Sequence, residues 1–245
     1  AAGKVHDYYE VVFADMAAFS EATVVAEGYV VKIRDDVPLE KACLVGCGVM
    51  TGIGAVVNRA KVEAGSTAVV VGCGGVGLNV VQGCSLASAS KIIAVDTVDE
   101  KLGYAQAVGA THAINSSKQD ALGEIERITG GGADYAFEVV GIPATLDLAF
   151  SAIRPGGTCV MVGLPATGAD LSIPGRALFF DRTLMGTFYG AARPREDFAW
   201  ILDMYMDGRL KLDELATKVR PLEELNEAFD DMEAGREART VLVFD

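Results

Sequence analysis

The chain has 245 residues, 51% of them hydrophobic and 22% charged, which is enough to bury a large apolar core and excludes a disordered polymer. Its length allows one to two domains, and no shift of composition divides it. With 21 basic against 34 acidic residues and a net charge of -13, it lacks the phosphate-neutralising surface of a nucleic-acid binder, and anionic membranes are disfavoured for the same reason.

In chain order, residues 22–33 (ATVVAEGYVVKI) are β-branched and broken at Glu27-Gly28, which predicts two short strands joined by a turn. Pro38 suits the first turn of a helix. Small residues then carry one helix or two to about Ala60, interrupted near Gly46-Cys47-Gly48. From Thr67 the pattern becomes regular. The apolar runs TAVVVG, KIIAVD, HAIN, DYAFEVV and GTCVMVG alternate with helical stretches ending near Ser88, at 99–108, at 119–129 and at 143–153. Runs that are apolar throughout mark strands covered on both faces, so the segment predicts a doubly wound, parallel α/β domain of the Rossmann type. A strand in RTLMGTFYG, helices near 195–208 and 221–234 and a closing strand in RTVLVF complete the expected order. The apolar edge Arg182–Tyr189 is expected to pair with its twin in a homodimer, since an open edge invites pairing.

No apolar run in the sequence reaches the eighteen or so residues of a membrane span, and the first ten residues lack the apolar stretch of a signal peptide. The five cysteines, Cys43, Cys47, Cys73, Cys84 and Cys159, contain no CxxC pair. That argues against a disulfide framework and against a four-cysteine zinc site, and it fits a reducing, cytoplasmic setting.

The first candidate site is the loop Gly72-Cys73-Gly74-Gly75-Val76-Gly77, between a predicted strand and a predicted helix. A pyrophosphate needs close approach to backbone amides at the positive end of a helix, and side chains at the glycine positions would block it. Asp96, at the end of the next strand, stands about twenty residues on, where a ribose-binding acid is expected. The bland alternative is a tight turn followed by an ordinary strand-end acid. The dinucleotide reading implies NAD over NADP, because a carboxylate at Asp96 accepts from ribose hydroxyls and repels an added phosphate.

The stretch from Pro38 to Val81, with its GCG, TGIGA and GCGGVG elements, resembles the zinc-containing medium-chain alcohol dehydrogenases (the medium-chain dehydrogenase/reductase superfamily), in particular the branch of glutathione-dependent formaldehyde dehydrogenase. The segments AVDTVDEKLGYAQAVGATHAIN, ADYAFEVVG and EAGREARTVLVFD agree with it, and the resemblance runs from about Phe19 to the C-terminus. It implies an oxidoreductase moving hydride between NAD and a primary alcohol, or a thiol adduct of an aldehyde, with zinc as Lewis acid. By this resemblance Cys47 is a zinc ligand, although spacing alone reads it as a packing cysteine. Thr51 is the catalytic threonine beside the nicotinamide, and Asp96 with Lys101 embraces the adenosine ribose. Val140, Val162, Leu164, Thr187 and Tyr189 line the adenine and nicotinamide pockets, and Arg239 meets the pyrophosphate, a role suited to a planar guanidinium.

The other cysteine and the histidine that such a zinc requires are not supplied by the matching segments. The expected organisation is therefore a remnant of a GroES-like catalytic β domain over residues 1–40, an NAD-binding Rossmann domain over 41–190, and return elements over 191–245, as the C-terminal portion of a longer, homodimeric or homotetrameric dehydrogenase. A zinc-independent quinone oxidoreductase-like relative and a non-catalytic NAD(H)-binding module are the competing readings. His112, at the start of a short strand, reads as structural.

Overall fold

A computed structural model describes residues 19–20, 22–170, 172–234 and 236–244. Its centre is a six-stranded parallel sheet built from β1 (Thr67–Val71), β2 (Lys91–Asp96), β3 (His112–Asn115), β4 (Ala133–Glu138), β5 (Ile153–Met161) and β6 (Thr183–Gly186), in the order β3-β2-β1-β4-β5-β6. This is the dinucleotide-binding strand order, and it reverses direction between β1 and β4. The doubly wound fold expected from the alternating pattern is the fold observed.

The apolar runs are explained by what each face of a strand meets, because successive side chains point to opposite faces. Ala68 and Val70 of β1, with Ile92 and Ala94 of β2, enter one core with Ile53, Leu78 and Phe137. Val69, Val71, Ile93 and Val95 enter the other, against Ile125, Leu146 and Phe150. Neither face is wetted, so no polar alternation appears in the sequence. Helices α3 (Gly75–Leu86), α4 (Asp99–Ala107), α5 (Ala121–Thr129) and α6 (Pro143–Ser151) supply the covering layers. Asp120 starts α5 by accepting from the Gly123 amide at 3.3 Å, satisfying one of the donors that a helix start leaves free.

Residues Leu39–Ala60 form one continuous helical rod. It is α-helical at α1 (Leu39–Leu44) and α2 (Met50–Gly54), and wound more widely, as π-helix, at Val45–Val49 and Ala55–Ala60. The interruption expected at Gly46-Cys47-Gly48 is thus a change of winding, not a break. The rod has the length and apolar character of a membrane span, but half of that stretch is buried. Val45, Val49, Met50, Ile53 and Val56 are at most 1% exposed, which makes it a core helix.

Two expectations are corrected. Residues 22–33 hold no strand; they run irregularly around a 3-10 turn at Glu27–Tyr29, and Val24, Tyr29 and Val30 are exposed. An isolated hairpin is marginal unless it joins a sheet or packs on a helix, and residues 22–33 pair with neither of the two sheets described. At the other end of the chain a strand went unforeseen. β7 (Lys218–Pro221) pairs in parallel with the closing strand β8 (Thr240–Val243), with α8 (Leu225–Glu233) between them. The remaining helix, α7 (Pro194–Met206), starts at a proline in its first turn.

Candidate nucleotide-binding site

Parallel strands deliver their C-terminal ends to one edge. The register sets Val71 beside Val95 and Glu138, Glu138 beside Met161, and Met161 beside Gly186. One step beyond that line lie Gly72, Asp96, Val139, Val162 and Thr187, so residues far apart in sequence are brought to the crevice where such sheets bind ligands.

The glycine loop is built for close approach. Gly72 has φ +98, and a Cβ on Gly77 would lie 1.8 Å from the Gly72 carbonyl oxygen, so that turn closes only without side chains. At Gly74 a Cβ would meet nothing within 4 Å; this is the side open to a ligand. The amides of the first turn of α3 receive no capping side chain, leaving donors at the positive end of a helix dipole. Val76 lies within that turn. The thiol of Cys73 turns inward, 1% exposed, and burial pushes it up to about 12.

Asp96 is fixed by backbone. Its Oδ2 accepts from the Cys73 amide at 2.8 Å, and its Oδ1 from the amides of Thr97 at 2.8 Å and Val98 at 3.1 Å. Three of about four acceptor positions on the carboxylate are filled, and one on Oδ2 remains for a further donor.

A cavity of about 270 Å³ opens beside the loop, lined by residues 73–77 together with Glu100, Lys101, Tyr104, Val139, Met232, Glu237, Ala238 and Arg239. Lys101 and Arg239, expected at the cofactor, are both on its wall. Arg239 lies across the loop so closely that a Cβ on Gly75 would be 2.2 Å from its Nε, and one on Gly48 would be 2.8 Å from its Nη2. The wide turn that carries Cys47 therefore abuts the glycine loop and Arg239.

The remaining expected residues form a second group. Tyr189 follows β6 with φ +53, and its Oη donates to the Gly46 carbonyl at 2.7 Å. Burial, with the neighbouring Cys47 adding to it, raises its phenol above the ordinary range. Thr51 lies one turn beyond Cys47 in α2, and its carbonyl approaches Gly190 in the same loop. Thr187 Oγ1 is buried without a hydrogen-bond partner, an orphan that a bound ligand would satisfy. Between the two groups Val140 and Leu164 stand 47% and 78% exposed at the ends of β4 and β5, with Val162 half-buried beside them.

Sequence reasoning missed Glu138. It is 1% exposed, and its Oε1 accepts from the amides of Val140 and Gly141 at 2.8 and 2.7 Å and from Thr145 Oγ1 at 2.7 Å. This carboxylate shapes the loop that presents Val140. Its only signal was an acid closing an apolar strand, a costly place for a charge unless it is bonded. Glu100, Tyr104, Met232 and Glu237 were missed too, although Glu100 and Tyr104 share one face of α4 by their i, i+4 spacing.

For zinc the outcome differs. Among the described residues no group of three His, Cys, Asp or Glu side chains is placed to hold a metal. Cys47 is exposed. His112 is engaged with Thr111 Oγ1 at 2.8 Å on β3, near the far edge of the sheet, and His6 lies outside the described residues. The residues described do not fit a zinc by themselves.

Residues 75–207 match the family model described as zinc-binding dehydrogenase. The chain belongs to the zinc-binding dehydrogenases. It is 42% identical over 236 residues to an S-(hydroxymethyl)glutathione dehydrogenase of Paracoccus denitrificans and 41% identical over 237 residues to an alcohol dehydrogenase class-3 of Cereibacter sphaeroides, each alignment covering 93% of this chain and 63% of the relative. Among solved structures it is similar to benzyl alcohol dehydrogenase from Acinetobacter calcoaceticus, with a TM-score of 0.88 at 32% identity over 91% of this chain and 62% of that one. The chain thus spans a little under two thirds of the length of these zinc-binding dehydrogenases, and the resemblance to the class III branch is upheld.

Proposed function

We propose that this chain is the nucleotide-binding part of an NAD-linked, zinc-dependent alcohol dehydrogenase acting on a primary alcohol or a thiol adduct of an aldehyde. The single observation that carries the reading is the convergence of the open glycine loop, Lys101 and Arg239 on one cavity at the sheet's switch point, with Asp96 bonded to the loop's Cys73 amide. NAD, when bound, accepts or gives the hydride. The chain's own part is to bind and orient it. The amides of Gly75, Val76 and Gly77 and the guanidinium of Arg239 would take the pyrophosphate, with Gly72 and Gly74 leaving it room. Asp96 and Lys101 would take the adenosine ribose. Val140, Val162, Leu164, Thr187 and Tyr189 would line the base and nicotinamide pockets, with Thr51 and Cys47 at the reacting end.

The same proposal divides the chain into residues 1–40 as catalytic-domain remnant, 41–190 as NAD domain and 191–245 as return elements. It takes the protein as cytoplasmic, supported by five cysteines none of which is in a disulfide. It also takes the protein as a homodimer or homotetramer, supported by the edge position of β6 and by Phe179 and Phe180 just before it, 90% and 52% exposed. Light scattering that gives a monomer at micromolar concentration would overturn the oligomer.

Fluorescence titration is the main test. NADH should bind the chain more tightly than NADPH, and equal or tighter NADPH binding refutes the reading. Because the described residues hold no group of three metal-ligating side chains, the isolated chain should hold less than one zinc and produce no NADH from alcohol. Stoichiometric zinc together with turnover would refute that part.

A further inference from the structure

Asp96, which the dinucleotide reading ties to cofactor choice, is not the only negative charge at this site. Two more carboxylates, Glu100 and Glu237, stand on the cavity wall with the cations Lys101 and Arg239. They come from distant parts of the chain, Glu100 from the first turn of α4 and Glu237 from the segment leading into β8. Tyr104 joins them. Its Oη donates to Glu100 Oε1 at 3.2 Å, and its phenol is raised by burial first, then by Glu100 and by Glu237. Both carboxylates therefore act on one point of the wall. Glu237 is countered only loosely by Lys218, whose Nζ lies 3.9 Å from it and 3.5 Å from Asp231.

Charge matching makes this arrangement selective. A cavity of about 270 Å³ is about 8 Å across if taken as a sphere, no more than the Debye length of roughly 8 Å at physiological salt, so the charges on its wall are little screened from anything inside. One pyrophosphate can be balanced by Arg239 and the amides of α3. Counted together the wall carries two cations and two carboxylates, so it offers no net positive charge to a further phosphate. Asp96, whose Oδ2 holds the Cys73 amide at this same wall, adds to the deficit.

We infer that Glu100 and Glu237 form a second barrier to a 2′-phosphorylated adenosine ribose, independent of Asp96, so that neutralising Asp96 alone leaves the site selective for NAD. The inference rests on the proposed binding of NAD in this cavity. Two charges on a phosphate within such distances weaken binding about five-fold per wall carboxylate.

The test measures NADH and NADPH dissociation constants for the whole chain, for Asp96→Asn, for Glu100→Gln, for Glu237→Gln and for the combination of the last two. Glu223→Gln, an exposed change of equal charge on the 3-10 turn before α8, is the control. The NADPH-to-NADH ratio should fall about five-fold for each of the two single changes and more in the combination, while Asp96→Asn keeps the ratio above one and the control leaves it as in the parent chain. An unchanged ratio in both single variants, or an equal fall in the control, overturns the barrier. Failure of the parent chain to bind NADH at all overturns the cofactor reading instead, and NADH binding retained by each variant reports that it is folded.

Discussion

The sheet and the two ends of the chain are stabilised by different means. In the sheet, β1, β2, β4 and β5 bury side chains on both faces, and Phe137 and Phe150 are at most 1% exposed. Outside it, charge pairs are added to apolar anchors such as Ile201, Leu212 and Leu215. Asp231 of α8 joins Arg220 of β7 and Arg236 at 2.6 and 2.7 Å, and Arg34, beyond the exposed 22–33 segment, pairs with Asp36 at 2.6 Å and with Asp203 of α7. Apolar burial is non-directional and tolerant of detail, whereas an exposed ion pair contributes little and only in one geometry. The sheet therefore determines the fold, and the ends determine what is added to it.

The largest effect should come from the core. Phe150→Ala removes a fully buried ring and should cost about 3–5 kcal/mol in urea unfolding, while Val24→Ala, at a side chain 97% exposed, should stay within about 0.5 kcal/mol. Similar losses at both would erase the contrast. Gly77→Ala comes next. Its Cβ cannot fit beside Gly72, so NADH affinity should fall at least ten-fold and stability by about 1–3 kcal/mol, measured by titration and by urea midpoint.

Alkali should act on the sheet in a way that the ends escape. Burial raises the thiols of Cys73, Cys84 and Cys159, the first and third to about 12. A folded pKa above the unfolded value leaves stability intact below about pH 9 and removes it as the pH climbs toward the folded value. The urea midpoint should hold from pH 7 to 8 and drop from pH 9 to 11, with a smaller drop in Cys84→Ala. A thiol reagent at pH 8 should label Cys43 and Cys47, both exposed, and leave the other three until unfolding.

The smallest effect belongs to Asp231, lowered to about 2 chiefly by hydrogen bonds from Arg220 and Arg236. A depressed pKa gives stability that is present above the unfolded value near 4 and lost as the pH falls through the folded one. Asp231→Asn should lower the protection of the Lys218–Arg220 amides from hydrogen exchange by the same amount at pH 7 and pH 5. The difference from the parent should shrink toward pH 2, and a difference that grows there would contradict the ion-pair account.

The sheet was readable from its residues because doubly buried strands leave continuous apolar runs, as in Thr67–Val71 and Lys91–Asp96. The glycine loop was readable because few residues other than glycine fit a helix start that closes on its own strand. β7 was not: Lys218-Val219-Arg220-Pro221 places charged residues where an apolar run would signal a strand, and its partner lies about twenty residues away. The strands expected at 22–33 failed for the converse reason, β-branched residues with no sheet to join. Of the candidate site, the backbone-dictated part was legible. The carboxylates Glu138, Glu100 and Glu237 were not, since an acid's role depends on which amides or charges face it, and those come from other elements.

The wide turn at Val45–Val49 has a further meaning. A π turn amounts to one extra residue wound into an α-helix. Deleting a single residue between Val45 and Val49 would let Leu39–Ala60 run more regularly, at about 100° of rotation per residue. The wide turn takes up that residue locally, so the segment before it, Pro38 and the irregular stretch from Ala22 included, would keep its bearing on Thr51 and the sheet, whereas a residue deleted elsewhere in the rod would turn it by about 100°. One residue of chain length is thus accommodated without changing the bearing at which everything N-terminal to the rod meets the nucleotide edge.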